Sequence, residues 1–83
     1  MLSDDGRALL LRAAELVVMT QFGSTSMLQR KLDVSYTDAA WLMETMESHG
    51  VVGRVQEPRP REVMVPVDEL ASTLDRLKRD GGA

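Results

Sequence analysis

The sequence predicts a mostly helical α+β domain: three helices, a two-stranded hairpin and a fourth helix. Two observations predict it. Apolar residues recur at helical spacing in four separate stretches, and the segment from Val51 to Val65 switches to β-branched residues around a proline-bearing turn. A length of 83 residues suits one small domain, spanning 1–83, whose single core is only just sufficient.

The first helix is predicted over Arg7–Met19, with Leu9, Leu10, Ala13, Leu16 and Val17 on its apolar stripe. Asp4 and Asp5 precede it and suit a helix N-terminus, where the backbone dipole favours negative charge. Phe22-Gly23-Ser24 breaks the pattern, and a short helix follows from about Ser26 to Leu32 with Met27, Leu28 and Leu32 inward. Ser35 is the N-cap expected for a third helix that carries Ala39, Leu42, Met43 and Met46 on one side and ends at His49-Gly50. Val51, Val52 and Val55 are expected to form one strand, Val63 and Val65 the other. Between them, Gln56-Glu57-Pro58-Arg59-Pro60 forbids both helix and central strand, which leaves a stiff polar tip. The last helix is predicted over Val67–Arg79, with Val67, Leu70, Leu74 and Leu77 on one stripe and Gly81-Gly82-Ala83 as a frayed end. Three helices and a hairpin is the winged helix-turn-helix order, in which Ser35–His49 is the recognition helix and the hairpin tip the wing.

Composition narrows the function classes. Hydrophobic residues at 43% and charged residues at 28% are ordinary for a globular chain. Without cysteine there is neither a disulfide framework nor a thiolate metal site, and one histidine, His49, leaves zinc only carboxylates; no metal or cofactor is expected. No apolar run approaches the ~20 residues of a membrane span. The start Met1-Leu2-Ser3-Asp4-Asp5 is acidic where a signal peptide is basic, so a soluble, cytoplasmic chain with no membrane partner is expected. No G-x-x-x-x-G-K-[ST] phosphate loop occurs, and Glu44 and Glu47 have no third catalytic group beside them, so no enzymatic activity is expected. The six methionines read as core filling, and Arg76-Leu77-Lys78-Arg79 as charge at a helix end.

The stretch Thr20-Gln21-Phe22-Gly23-Ser24-Thr25-Ser26-Met27-Leu28-Gln29-Arg30-Lys31-Leu32 resembles the gamma domain of FtsK-type DNA translocases. Val34, Tyr36, Ala39-Ala40 and Leu42 continue the likeness, as do Gly50-Val51-Val52-Gly53 and Pro60-Arg61-Glu62-Val63-Met64-Val65. The resemblance covers about Leu10 to Val65, with the last helix as an addition. It implies a winged-helix domain that reads a short G-rich motif in double-stranded DNA and contacts a site-specific recombinase. A free-standing copy would suit a small regulator or a phage or mobile-element protein.

The departures lie in the third helix. The family carries Asn after the tyrosine, then Arg, then a second Arg three residues on; here those positions are Thr37, Asp38 and Trp41, and only Glu44 is retained. From Ser35 to His49 there is no Lys or Arg, while Asp38, Glu44 and Glu47 give a formal −3, equal to the net charge of the whole chain. Carboxylates facing phosphates oppose counterion release, so weak binding by a monomer and a changed motif are expected. The expected DNA-contacting set is Thr37 and Trp41 against thymine methyls, Glu44 accepting from a cytosine amine, and Arg30, Lys31, Arg59 and Arg61 on phosphates. The alternative is a protein-interaction module that uses the acidic face, with Asp38, Trp41, Glu44, Thr45 and Ser48 meeting a partner such as a recombinase. A continuous basic stripe from Arg30 and Lys31 to Arg59 and Arg61 would favour the first; a negative face around Trp41 would favour the second.

Overall fold

The structure, a computed structural model, describes residues 4–56 and 58–80; the end expected to fray, 81–83, lies outside them. Among the described residues the chain forms α1 (Asp4–Thr20), α2 (Thr25–Leu32), α3 (Tyr36–Ser48), a 3-10 turn (Val67–Glu69) and α4 (Leu70–Asp80). It is a mostly helical domain. α1 begins at Asp4 rather than Arg7, which puts Asp5 inside its first turn, where the dipole argument still applies.

Local chemistry sets the boundaries. Ser24 Oγ accepts from the Met27 N–H at 3.2 Å and Ser35 Oγ from the Asp38 N–H at 3.1 Å, capping α2 and α3. α1, α2 and α3 are each followed by a left-handed residue: Gln21 (φ 52°), Asp33 (φ 55°) and Gly50 (φ 76°). The next N–H in each case turns back onto the helix: Phe22 to Val17 O at 3.2 Å, Val34 to Gln29 O at 3.2 Å, and Val51 to Met46 O at 2.9 Å. Glycine relieves this conformation only at Gly50. Gln21 tolerates it while its Nε2 donates to Val18 O at 2.8 Å and Val65 O at 2.9 Å, tying the end of α1 to the segment that precedes α4.

The core takes Leu10, Ala13, Ala14, Val17 and Val18 from α1, Met27 and Leu28 from α2, and Ala39, Leu42, Met43 and Met46 from α3. Val51, Val52, Val65 and Leu77 complete it. The α3 stripe is the one the periodicity predicts. On α1, Leu9 and Leu16 are only partly covered and Ala14 and Val18 are buried in their place, because α1 packs against α4 as well as α2 and α3. Val67, expected inward, is 47% exposed: it lies in the 3-10 turn, which rests chiefly on α4 itself.

None of the described residues forms a strand; the expected hairpin is reduced to isolated antiparallel bridges, Val52 with Val63 and Gln56 with Arg59. These still reverse the chain at the expected tip, supported by Gly53 N–H to Glu62 O and Met64 N–H to Val51 O, both 2.8 Å. The ladder fails for a chemical reason. Pro58 and Pro60 have no N–H to donate across the arm, and the Arg61 N–H, on its outer edge, is donated at 2.9 Å to Gly23 O. The return side of this arm (residues 51–65) therefore pairs on its other edge with Gly23, a third bridge.

Gly23 is constrained by that approach, since a Cβ there would collide with the Arg61 carbonyl oxygen. We expect Gly23→Ala to destabilise the fold by ~2 kcal/mol, as overpacking against backbone does. Urea denaturation checks this; an unchanged midpoint would mean that the close approach does not exist in solution.

Candidate nucleic-acid interface

Because Ala39, Leu42, Met43 and Met46 fix one face of α3 in the core, the opposite face is turned to solvent. Thr37, Asp38, Glu44 and Ser48 are exposed there, and Trp41 keeps 39% of its surface open rather than folding over a neighbouring helix. Two hydroxyls of the acidic-face set are engaged locally: Thr45 Oγ1 donates to Trp41 O at 2.8 Å and Ser48 Oγ to Thr45 O at 2.7 Å. They can accept from a partner but are not free to donate. Thr45 is also half-buried.

The arm stands beside this helix. A groove of about 150 Å³ separates them, lined by Tyr36, Ala40, Met43 and Glu44 from α3 and by Val55, Gln56, Arg59 and the largely buried Arg61 from the arm. A second, of about 330 Å³, faces Arg59 and its flanking prolines toward Ser24, Thr25 and Ser26 at the start of α2, with Tyr36 between them. Arg59 is exposed and common to both grooves, and so is Tyr36, which is 63% exposed. Tyr36 joins the family likeness in the sequence but not the expected contact set, although its outward register at the first position of α3 marks it as a candidate.

The expected basic stripe is not assembled. Arg30 and Lys31 are exposed on α2, but Lys31 lines a separate groove with Arg12, Glu15, Leu16, Met19 and Leu32 on the α1 side. Arg61 is not a free cation of the tip either. Its side chain is 10% exposed and its Nη1 donates to Glu47 Oε1 at 2.8 Å and to Gly53 O at 3.1 Å. Sequence alternation carried this signal: Arg61 has the same parity as Val63 and Val65, which turn inward, whereas Glu62 and Met64 are exposed. The pairing also offsets one of the three carboxylates of α3 and leaves Asp38 and Glu44 to set the charge of its exposed face. Arg76, read as charge closing α4, donates instead to His49 O at 3.0 Å and so caps α3, a favourable place for a cation at a helix C-terminus.

Among the described residues no group of His, Cys, Asp and Glu could hold a metal ion, and no helix is long and apolar enough to cross a membrane. What remains is a class: a four-helix domain offering an outward third helix with an arm beside it.

Comparison with known proteins specifies that class. The FtsK gamma domain family matches residues 4–66, and the chain belongs to it. It is 53% identical over 78 residues to the DNA translocase FtsK of Mycobacterium tuberculosis (strain H37Rv), covering 94% of this chain and 9% of the relative. Against the DNA translocase FtsK of Mycobacterium leprae it is 51% identical over 79 residues, 95% of this chain and 9% of the relative. Against that of Streptomyces avermitilis it is 54% identical over 70 residues, 84% of this chain and 8% of the relative. The chain thus spans less than a tenth of each of these proteins. None of the three is a phage or mobile-element protein.

The exposure of Trp41 is directly measurable, because it is the chain's single tryptophan. We expect its emission to be that of a partly hydrated indole, readily quenched by acrylamide in the free protein. A blue-shifted emission resistant to quenching would remove Trp41 from the interface.

Proposed function

We propose that this chain is a non-catalytic winged-helix module that binds double-stranded DNA with a sequence preference different from the G-rich motif its family resemblance implies. The observation that carries the reading is the shared opening of α3 and the arm: Glu44 and Arg59 line one groove, with Tyr36 between the helix and the tip. A helix entering the major groove while an arm reaches the adjoining backbone requires that arrangement. The names of the relatives, DNA translocases, support the same class of ligand. In this reading α3 reads bases through Thr37, Trp41 and Glu44, Arg59 holds a phosphate, and Arg30 and Lys31 add at most peripheral contacts. On the same reading 1–83 is a single domain, and its support is that α4 braces α1 from outside the segment that the family matches.

Electrostatics fix the expected strength. With a net charge of −3 and Arg61 already paired, few cations remain for phosphates, so log K should fall with log salt at a slope of about −3 or shallower. Arg59→Ala should weaken binding to all sequences alike and flatten that slope by about one unit. Trp41→Ala should alter sequence preference instead. Fluorescence anisotropy at several salt concentrations separates the two; a steep slope, or a sequence-dependent effect of Arg59→Ala, would contradict the assignment of roles.

Losing the amide and both guanidinium donors at Thr37, Asp38 and Trp41 removes bidentate contacts worth about 1–3 kcal/mol each. The G-rich duplex should therefore compete no better than a scrambled one. Selective binding to it would sink the altered-specificity claim.

A second reading is favoured by one specific observation: an exposed tryptophan on a helix face that bears carboxylates and no cation. If a protein such as a recombinase is the partner, Trp41→Ala should cost about 2 kcal/mol or more of its binding, with Asp38, Glu44, Thr45 and Ser48 around it, and Arg59→Ala should matter little.

A further inference from the structure

The arm lacks a ladder of its own, so something else must hold its tip at a fixed angle to α3. Arg61 touches three parts of the molecule that can do so. Its N–H is donated to Gly23 O at 2.9 Å, and its carbonyl lies close enough to Gly23 to exclude a Cβ, which fixes the return side against the α1–α2 turn. Its guanidinium then crosses to Glu47 on α3 at 2.8 Å and to Gly53 O on the outgoing side at 3.1 Å. Two positions upstream stands Arg59, exposed and opposite Tyr36 and Glu44. Arg59 and Arg61 are thus equal in charge but opposite in situation, one solvated and one 10% exposed.

We propose that Arg61 is a positioning residue: with Glu47 it latches the arm onto α3 and so sets where Arg59 meets the DNA backbone, without touching DNA itself. The inference rests on the DNA-binding reading above, and extends it by dividing the arm's two arginines between holding and contacting. It also gives Glu47 a role that its charge alone would not suggest. A carboxylate on a DNA-facing helix repels phosphates, and its removal ordinarily tightens binding. Here removal frees the arm.

The absence of cysteine makes the latch observable without DNA. Spin labels at Gln56→Cys and Ser48→Cys report the distance from tip to helix by double electron–electron resonance. The latch predicts a narrow distribution that broadens in Arg61→Ala and in Glu47→Ala, and narrows again in Arg61→Lys. In anisotropy titrations, Arg61→Ala should weaken DNA binding on the order of tenfold, the worth of one misplaced contact. In an Arg59→Ala background it should add little, since it acts through Arg59. Glu47→Ala should weaken binding although it removes a negative charge, and because Glu47 is 45% exposed, this variant tests the latch even where Arg61→Ala fails to fold. Unchanged distance widths, full additivity of the two arginine variants, or tighter binding by Glu47→Ala would each overturn the proposal. If the unaltered chain binds no DNA, the functional reading fails while the distance measurement still decides whether the latch exists.

Discussion

Where the backbone of Arg61 closes on Gly23, a segment with no strand of its own is held to the helical body. The approach needs a residue without a side chain at 23 and is closed by the Arg61 N–H, donated from the outer edge of the arm. From that one seam the rest follows: the return side is pinned along its outer edge, Val63 and Val65 are directed toward the core, and the tip with Arg59 is left standing beside α3. Gln21, two residues before Gly23, adds a second stitch through its two side-chain donations. The energies of such contacts are individually small, about 1 kcal/mol net for a hydrogen bond, but a domain of this size has little core with which to replace them.

Charge explains why the surface is arranged as it is. The chain carries 13 acidic and 10 basic residues, so a polyanion can be approached only where cations are locally concentrated or carboxylates are neutralised. Arg61 neutralises Glu47 from within, Arg76 is spent on the C-terminus of α3, and Lys31 and Arg12 face a different groove. Among the described residues, Arg59 is an exposed cation that lines the groove beside α3. In the proposed DNA-binding reading such a surface would rely on shape and base contact rather than on electrostatic attraction, and the acidic, tryptophan-bearing side of α3 is what the second reading rests on.

Much of the fold was legible in the sequence because its signals are local. Ser35 as a cap, Gly50 after α3 and the α3 core stripe each depend on residues within a few positions of one another. The missed features are tertiary. Gly23 reads as a helix breaker until the arm that returns to it is placed, and Gln21 and Asp33 take left-handed conformations that no glycine advertises. The placement of the candidate residues was legible in the helix and less so in the arm. Thr37, Trp41 and Glu44 lie on the outward face that periodicity assigns, whereas Arg61 was grouped with Arg59 by charge although its alternation with Val63 and Val65 pointed inward. Lys31 and Arg59 fell into separate grooves because sequence distance says nothing about which flank of α2 a residue occupies.

The central claim is that duplex DNA meets α3 and the arm together. Backbone amide spectra recorded while a short duplex is titrated into isotope-labelled protein test this most directly, since every non-proline residue reports separately. The account predicts shifts concentrated at Tyr36, Thr37, Trp41, Glu44 and Arg59, with Arg12, Glu15 and Lys31 unmoved. Shifts confined to the α1–α2 groove, or none at any duplex concentration, would contradict it.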